Sequence, residues 1–310
     1  MKSQRKYSKI EKKGSSGYAY TNTRVRVMKS KLLKPEDMQR FIKMSVPEIT
    51  RSLQEMEYKN EISDLGLKFK GASLIEYALN KNLENAFSKI MAFALKKSRG
   101  QIMIYLRRYD VANIKTILRG KKSGASNEQI INEIVASGEL TRDFLKKVVE
   151  ESKDVKGAIE FFKSTIYYPI LAKHADDISK MEDELDKFYY KMAVGSSEKH
   201  LHDYISLEIA VKNYLNELRS KKTNINVEKL SDSKVRLNIP FDKDSIDARV
   251  YAKKMLVTKA VRMVNMFKRD VRPVLGYFVA KENEVSNLRI LVRGKHSGLD
   301  ESIIQKELVV

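Results

Sequence analysis

The chain has 310 residues, with 60 Lys or Arg against 40 Asp or Glu, which gives a formal net charge of +20. Apolar residues make up 42%, too many for a disordered chain, and the length suggests about two domains. The absence of cysteine excludes disulfides, thiolate metal sites and cysteine nucleophiles, and no stretch approaches the roughly 18 apolar residues of a membrane-spanning helix.

The first 17 residues form a basic segment that precedes the first helical pattern. They contain six Lys or Arg and one Glu, a net charge of +5, together with two Gly. Because the segment lacks the apolar centre of a secretory signal, we expect a flexible basic arm over residues 1–17 and a cytosolic chain. The charge favours an anionic partner, which could be nucleic acid, an anionic membrane surface or an acidic protein, and a solvated tail without a role is an equal alternative.

Helical spacing of apolar residues dominates the rest of the chain. Five Pro and 13 Gly leave long uninterrupted stretches. One of them, residues 127–151, shows helical periodicity with a break at Ser137-Gly138. The segment SKVRLNIPF, residues 233–241, is the only strand-like candidate. The sequence therefore predicts an all-α protein.

A second long helical pattern covers residues 245–271. Its apolar residues follow steps of three, four or seven, which predicts one amphipathic helix about 40 Å long. Asp244 or Ser245 is a suitable N-cap, and Pro273 follows its end. The predicted apolar stripe consists of Ile246, Val250, Val257, Val261, Val264, Phe267 and Val271.

An internal repeat links the middle of the chain to its end. The motif YDVANIKTILRGKKSG at residues 109–124 matches NEVSNLRILVRGKHSG at residues 283–298, at an offset of 174. Extended without gaps, residues 77–124 and 251–298 share 11 identities in 48 columns. Ordinary composition would give about three by chance.

Weaker matches suggest further copies of the same unit. VKNYLNELRSKKT at residues 211–223 aligns with the first motif at an offset of 100, with Ser220 in place of glycine. SGELTRDFLKKV at residues 137–148 is similar to KSKLLKPEDMQRF at residues 29–41, and both are candidates for the leading helix of a unit. The chain is therefore predicted to contain three similar helical units with approximate three-fold symmetry. The predicted boundaries are 18–126, 127–222 and 223–310.

The repeated positions supply the candidate functional residues. They are Asn113, Asn213 and Asn287, the glycines Gly120 and Gly294, and the cations Arg119, Lys121, Arg219, Arg293 and Lys295. For the asparagines we favour packing or interhelical hydrogen bonding over contact with a partner. The cations suit either the negative end of the helix dipole or a protein-binding surface, and both interpretations are open. Within the motif, Asp110 is a good N-cap and Gly120 a good C′ residue.

No constellation of residues in the sequence supports catalysis. RGKKSG and RGKHSG lack the spacing of a P-loop, and GxGxxG, GxSxG and HExxH are all absent. His200 and His202 would diverge on a helix, which disfavours a shared metal ion. We therefore predict no catalytic, cofactor-binding or metal-binding residue and a protein that is not an enzyme.

Four segments together resemble a known family, the C subunit of archaeal-type rotary ATPases, whose eukaryotic vacuolar relative is the d subunit. The longest is GYFVAKENEVSNLRILVRGKHSGL at residues 276–299. The others are YAYTNTRVRVMKSKLL at 18–33, YLRRYDVANIKTILRGKKSG at 105–124 and ELVV at 307–310. The family pattern does not demand the basic arm over 1–17, and the entry into the third unit, residues 223–241, does not look like the leading helices of the other two.

The resemblance implies an all-α funnel of three similar domains around a pseudo-three-fold axis. It implies a non-catalytic part of the rotor of an A/V-type ATPase or ATP synthase, peripheral to the membrane on its cytoplasmic face. Such a subunit sits on the proteolipid ring and receives the central shaft, and so couples ATP synthesis or hydrolysis to proton or sodium transport. The implied partners are the shaft subunits, the proteolipid ring and an adjacent anionic membrane surface, with no nucleic acid and no cofactor. The shaft contact would use the helix ends that carry Arg119, Arg219 and Arg293.

Two other hypotheses are kept beside this one. The charge of +20 is compatible with a basic helical nucleic-acid-binding protein, although the cations are scattered and no base-stacking motif accompanies them. An unrecognised enzyme would need a convergent site, which the sequence does not offer.

Overall fold

The computed structural model describes residues 18–223, 229–231, 235–240 and 246–309. Over these residues the chain is helical and contains no strand, so the all-α prediction is confirmed. The helices are α1 (Ala19–Lys29), α2 (Pro35–Ile42), α3 (Val46–Gln54), α4 (Lys59–Leu65), α5 (Gly71–Phe93), α6 (Lys96–Ser123), α7 (Asn127–Glu133), α8 (Arg142–Glu151), α9 (Val155–Phe161), α10 (Tyr168–Lys173), α11 (Ile178–Ser196), α12 (Lys199–Thr223), α13 (Ile246–Asn265), α14 (Arg272–His296) and α15 (Glu301–Glu307), with a 3-10 turn at Phe162–Ser164. The predicted arm over 1–17 lies outside the described residues.

Short polar side chains set the starts of several helices. At α7, Ser126 Oγ accepts from the backbone N–H of Gln129 at 3.2 Å, and Gln129 Oε1 accepts from the N–H of Ser126 at 3.0 Å. At α8, Thr141 Oγ1 accepts from the N–H of Phe144 at 3.3 Å. These caps satisfy N–H groups that have no partner inside the helix.

Residues 127–151 fold as two helices, α7 and α8, with a break where the sequence predicts one. The break covers residues 134–141 and is wider than expected. Its width has a tertiary cause, because the side chains of Asn113 and Asp110 hydrogen-bond to the backbone of these residues. Backbone groups that are bonded to side chains of α6 are not available for the hydrogen bonds that would continue α7 or α8.

The prediction of one helix over 245–271 is wrong at its C-terminal end. Helix α13 ends six residues earlier, and the connection 266–271 leads into α14. The side chains of Asn22 and Arg26 on α1 donate to carbonyl groups of this connection, so these carbonyls do not accept helical bonds. The two predicted N-cap positions lie outside the described residues.

The buried face of α13 also differs from the predicted stripe. Val261 is 39% exposed and Phe267 88% exposed, whereas Ala252 and Ala260 are fully buried. The alanines permit a close approach of α14, on which a Cβ added at Gly276 would lie 2.4 Å from the carbonyl oxygen of Ala260. Val264 of the predicted stripe is fully buried at the same contact, so the buried face combines small residues with part of the stripe.

The strand-like candidate over 233–241 forms no strand where the structure describes it, in agreement with the all-α prediction. Residues 235–240 have no regular secondary structure, and the remaining three lie outside the described residues. The apolar alternation is too short to override a helical neighbourhood, since a strand needs a partner to pair with.

The described chain divides into two compact units. The first contains residues 18–102, 198–201 and 246–309, and the second contains 103–197 and the described residues of 202–240. The prediction of three repeats remains a prediction, because the units are defined by compactness and a sequence repeat need not coincide with one.

The first unit joins the two ends of the chain in one core. Helix α14 packs against α13, α5 and α1, and α15 packs against α14 and α2. The rings of Phe87 on α5 and Phe278 on α14 lie 4.4 Å apart between centroids. Helices that are about 200 residues apart in sequence therefore share one apolar interior.

The second unit contains a buried ion pair beside its apolar core. Arg108 on α6 binds Glu208 on α12 through both Nη atoms, at 2.9 and 2.7 Å, and Tyr190 donates to the same carboxylate at 3.1 Å. Burial alone would raise the pKa of Glu208, but the charges of Arg108 and Lys212 outweigh it and the pKa is lowered.

Candidate functional site: the repeated helix ends

The repeated asparagines clamp a backbone segment that follows their own helix. Asn113 Nδ2 donates to the carbonyl oxygen of Val135 at 2.9 Å, and its Oδ1 accepts from the N–H of Val135 at 3.0 Å. Asn287 makes the same two bonds to Val309, at 2.9 and 3.0 Å. Both asparagines are buried, and each satisfies the two backbone groups of a residue 22 positions later in the chain.

The third copy makes a related clamp with different spacing. Asn213 Nδ2 donates to the carbonyl oxygen of Ser231 at 3.0 Å, and its Oδ1 accepts from the N–H of Leu230 at 3.0 Å. The two backbone groups that Asn213 binds therefore belong to two adjacent residues, and not to a single residue as in the other copies. Arg219 of this copy lies exposed near the end of α12. All three asparagines thus hold the chain that follows their helix.

The repeated glycines permit a short helix to lie against a long one. A Cβ added at Gly120 would lie 2.5 Å from Cγ1 of Ile130 on α7, and one at Gly294 would lie 2.7 Å from Cγ1 of Ile304 on α15. These distances are far below van der Waals contact. The glycines are therefore places where a following helix packs directly on the backbone.

The prediction that Gly120 is a C′ residue is wrong, because helix α6 continues beyond it to Ser123. The left-handed C′ residues are Gly124 and Gly298, with φ of +70° and +69°. The N–H of the residue after each of them donates back to the carbonyl of Gly120 or Gly294, at 3.0 and 2.9 Å. This is the turn that ends a helix in a Schellman motif, and it needs glycine because a side chain is strained at such φ.

The two arginines of the strong repeat are held by glutamates of a neighbouring helix. Arg293 Nε and Nη2 each donate to an oxygen of Glu76, both at 2.7 Å. Arg119 binds Glu182 in the same forked geometry, with Nε to Oε1 at 2.5 Å and a second bond from Nη2. The side chains of Arg119 and Arg293 are nevertheless 67% and 58% exposed. Each thus presents a fixed, partly exposed cation.

The two repeated lysines point into the fold. Lys121 Nζ donates to the carbonyl oxygens of Val149 and Ser152, at 2.6 and 2.7 Å, and so satisfies the C-terminal end of α8. Desolvation lowers the pKa of Lys121. Lys295 is half-buried and lies 3.7 Å from Glu301 at the start of α15. Lys121 therefore binds the end of α8, and Lys295 lies at the start of α15.

The prediction that Asp110 is an N-cap is wrong, because it lies inside α6 and is fully buried. Its carboxylate accepts from the N–H groups of Glu139 and Leu140, both at 2.9 Å, and from the hydroxyl of Tyr167 at 3.1 Å. Burial raises the pKa of Asp110 to about 6, although these hydrogen bonds favour the charged form. Asp110 therefore binds the backbone of residues 139 and 140 to α6, and we call such a buried carboxylate contact a latch.

Glu284 on α14 forms the matching latch in the first unit. It accepts from the N–H of Leu33 at 2.5 Å, from the hydroxyl of Tyr58 at 2.5 Å and from the ammonium of Lys281 at 2.6 Å. Sequence reasoning missed this pair of carboxylates. The signal was present, since Asp110 and Glu284 occupy equivalent columns of the repeat, but a conservative difference does not count as an identity.

The histidines of the sequence HLHD, His200 and His202, lie at long distances from carboxylates. His200 Nε2 lies 3.8 Å from Asp270, and His202 Nδ1 lies 3.8 Å from Asp203. Among the described residues, no three acidic, histidine or cysteine side chains converge on a point where they could bind a metal ion. None of the helices described combines the length and apolar character needed to span a membrane.

Comparison with known proteins assigns similarity over almost the whole chain. The profile of a family described as ATP synthase (C/AC39) subunit matches residues 21–251 and 241–307. The A-type ATP synthase C subunit of Methanosarcina mazei is 34% identical, over 97% of this chain and 95% of the relative. The protein of the same name from Archaeoglobus fulgidus is 32% identical over 97% and 98%, and that of Haloferax volcanii 28% identical over 96% and 99%.

Proposed function

Because the chain belongs to the ATP synthase (C/AC39) subunit family, we propose that it is a rotor subunit of an A/V-type ATPase or ATP synthase. It is a structural, non-catalytic subunit of a rotary ATPase. In the proposed role it forms a socket that couples the central shaft to the membrane proteolipid ring during proton or sodium transport. The observation that carries the proposal is the similarity to the A-type ATP synthase C subunit over 97% of the chain.

We extend the proposal to a funnel of three similar domains, 18–126, 127–222 and 223–310. Its support is that the same contacts recur along the chain. The asparagine clamp occurs at Asn113, Asn213 and Asn287, and the buried carboxylate latch occurs twice. Contacts that recur in equivalent positions are typical of a duplicated structural unit.

The contacts suit a part that transmits torque. Buried side chains fix the long helices to other segments of the chain. Asn113 and Asn287 donate to segments that follow their helices, and the carboxylates of Asp110 and Glu284 accept from backbone N–H groups of other segments. Leaving such groups unpaired is costly, so the helices resist sliding and local opening. A rotating spacer needs this stiffness and does not need reactive groups.

The proposed position is peripheral, at the cytoplasmic face of the membrane. The proposed partners are the shaft subunits, the proteolipid ring and the adjacent anionic lipid surface. A net charge of +20 favours the vicinity of anionic lipids. The nucleic-acid alternative is not favoured, because the relatives are ATP synthase subunits and the repeated arginines Arg119 and Arg293 are engaged by glutamates.

We propose that Arg119, Arg219 and Arg293 contact the shaft. All three are exposed at equivalent helix ends, and the forked pairs to Glu182 and Glu76 fix the direction of two of them. Lys121 and Lys295 lie at the same helix ends, and we propose that their internal contacts hold the neighbouring segments of this surface in place.

Charge reversal tests this contact against a purely internal role. Arg119→Glu with Arg293→Glu should weaken binding to purified shaft subunits at least tenfold, because two cations of the surface become anions. The matched control, Glu182→Gln with Glu76→Gln, breaks the same internal pairs and keeps the cations, so shaft affinity should persist. Equal affinities of the wild type and the arginine variant would exclude these sites from the contact.

The proposed function itself is tested by recovery of partners from native membranes. The tagged full chain, purified from detergent-solubilised membranes at moderate salt, should bring with it the shaft, the proteolipid and the nucleotide-binding subunits, identified by mass spectrometry. Recovery of nucleic acid or ribosomal proteins alone would contradict the proposal.

A further inference from the structure

The connection between α13 and α14 carries an exposed aromatic ring next to cations. We call residues 265–269 the aromatic tip. Phe267 is 88% exposed and Met266 is also exposed, and Lys268 and Arg269 follow directly and lie in solvent. Neither Lys268 nor Arg269 lies within ion-pair distance of a carboxylate of the described residues.

The tip is held in place by a buried side chain of α1. Asn22 is almost completely buried, and its Nδ2 donates to the carbonyl oxygens of Lys268 at 2.9 Å and Asp270 at 3.1 Å. Arg272 binds both oxygens of the Asp270 carboxylate, which neutralises the one acid next to the tip. An amide is therefore buried to fix a loop whose own side chains stay in solvent.

Two cations of α1 brace the tip from the side. Arg26 Nη2 donates to the carbonyl oxygen of Met266 at 2.7 Å, and its guanidinium lies 4.6 Å from the centre of the Phe267 ring. Lys29 Nζ donates to Asn265 Oδ1 at 2.7 Å. These contacts fix the ring and gather positive charge around it, so the tip is preorganised for contact with something outside the chain.

The surface beside the tip is apolar as well. Phe267 stands at a groove of about 840 Å³ whose walls include Leu33, Met38 and Val261. Lys29 and Lys34 also line it. An apolar groove with cations among its lining residues suits an amphiphile that carries an acidic head.

We propose that the aromatic tip contacts the headgroup region of an anionic phospholipid membrane, with the ring of Phe267 inserted and Lys268 and Arg269 at the lipid phosphates. This inference rests on the proposed function, which puts the chain beside a membrane. A single exposed ring in a short connection suits insertion among headgroups, and cations around it gain from the negative surface potential. An acidic protein helix would instead need an elongated apolar stripe with spaced anchor pockets.

The contact is weak, as a rotating part requires. One aromatic ring and a few cations give reversible membrane association, well short of stable anchoring. The loop therefore touches lipid and releases it as the rotor turns.

Vesicle flotation of the full chain tests the lipid contact. Vesicles of phosphatidylcholine alone are compared with vesicles in which about one lipid in four is phosphatidylglycerol, which gives a negative surface. Wild type should bind the anionic vesicles only. Phe267→Ser should lower the partition coefficient about tenfold, and Lys268→Gln with Arg269→Gln about fivefold for each charge removed.

Matched variants separate the tip from the overall charge, including that of residues 1–17. Lys146→Gln with Lys147→Gln removes two exposed charges of the second unit, and Ile303→Ser removes an exposed apolar side chain beside acidic residues. Both should bind anionic vesicles nearly as wild type does. The inference is overturned if wild type fails to bind anionic vesicles, or if the tip variants bind as well as these controls.

Recovery of rotary subunits in detergent separates this inference from the proposed function. The Phe267→Ser protein should still bring down the shaft and the proteolipid, since no bilayer is present there. Loss of the proteolipid with this variant would assign the tip to a protein contact and contradict the lipid inference. Failure of the wild type to recover rotary subunits would reject the proposed function, whatever the vesicles show.

Discussion

At the scale of single residues, buried carboxylates are the least expected feature of this chain. Asp110 is fully buried and accepts three hydrogen bonds, and its pKa is still raised to about 6. Desolvation therefore outweighs the donors that surround the charge. Such a group makes the stability of the second unit depend on pH in a defined direction.

The sign of that dependence follows from the raised pKa. The contribution is fully present below the ordinary value of 3.8 and is lost as pH rises through about 6. The free energy of unfolding of wild type minus that of Asp110→Asn should fall by about 3 kcal/mol between roughly pH 4 and pH 7.5. Urea denaturation at a series of pH values measures it.

Glu208 is a control for which the pH dependence should have the opposite sign. Its pKa is lowered by Arg108 and Lys212 despite burial, so its contribution is present at neutral pH and is lost as pH falls below the usual glutamate range. The corresponding difference for Glu208→Gln should therefore fall on acidification. The raised pKa of Asp110 is contradicted if the difference in unfolding free energy between wild type and Asp110→Asn does not change with pH. It is contradicted as well if that difference falls on acidification, as expected for Glu208.

The asparagine clamp gives a second prediction for a single side chain. Asn287→Ala removes both bonds to Val309 and leaves its buried N–H without the amide oxygen that accepts from it. We expect the free energy of unfolding to fall by about 2–4 kcal/mol, measured by chemical denaturation. Asn283→Ala is the matched control, because Asn283 donates one bond to the same carbonyl and is half-buried. It should cost about 1 kcal/mol, and equal losses for the two variants would argue against the clamp.

At the scale of elements, the contact between a long helix and the short helix after it decides the packing. Gly120→Ala would put a Cβ 2.5 Å from Cγ1 of Ile130, so α7 must move. We expect a loss of about 1–3 kcal/mol of unfolding free energy despite the better helix propensity of alanine. Thermal and urea unfolding measure the change.

The same helix supplies the control for that substitution. Gly100 also lies in α6, with nothing near its missing Cβ, so Gly100→Ala should stabilise by about 0.5–1 kcal/mol. Adding Ile130→Ala to Gly120→Ala removes the clashing atoms, and the two losses should be less than additive. Additive losses would mean that the glycine is not needed for the approach of α7.

At the scale of the whole molecule, Glu284 ties the first helices of the chain to one near its end. It accepts from Leu33 and Tyr58 and faces the ammonium of Lys281, which is only 3% exposed. Glu284→Gln leaves that ammonium buried without a counter-charge, at a cost of about 3–5 kcal/mol. Hydrogen exchange should rise in both 18–65 and 272–296.

The second unit provides the internal reference for this experiment. Exchange in residues 103–197 should stay near the wild-type level, because none of the partners of Glu284 lies there. A rise confined to the turn around the substitution, or an equal rise in both units, would contradict the view that this carboxylate closes the first unit.

Sequence patterns predicted well wherever the signal is local. The helical class and the break within 127–151 both follow from the spacing of apolar residues, which neighbouring residues set. Predictions failed where a distant side chain intervened. The helix over 245–271 stops early because Asn22 and Arg26 bind its carbonyls, and Asp110 is a latch rather than a cap because residues 139 and 140 fold onto it.

The candidate site, too, was predictable from the sequence only in part. The repeat identified which side chains matter, but helical periodicity gives only the face on which a residue lies and not what packs against that face. Only the tertiary structure decided that Lys121 turns inward to α8 and that Arg119 is forked on Glu182 with more than half of it exposed. The sequence by itself determined the fold class, the repeat and the family, because these depend on identity and spacing along the chain. Which repeated groups lock the fold and which face outward depends on contacts between residues far apart in sequence, and folding alone brings those together.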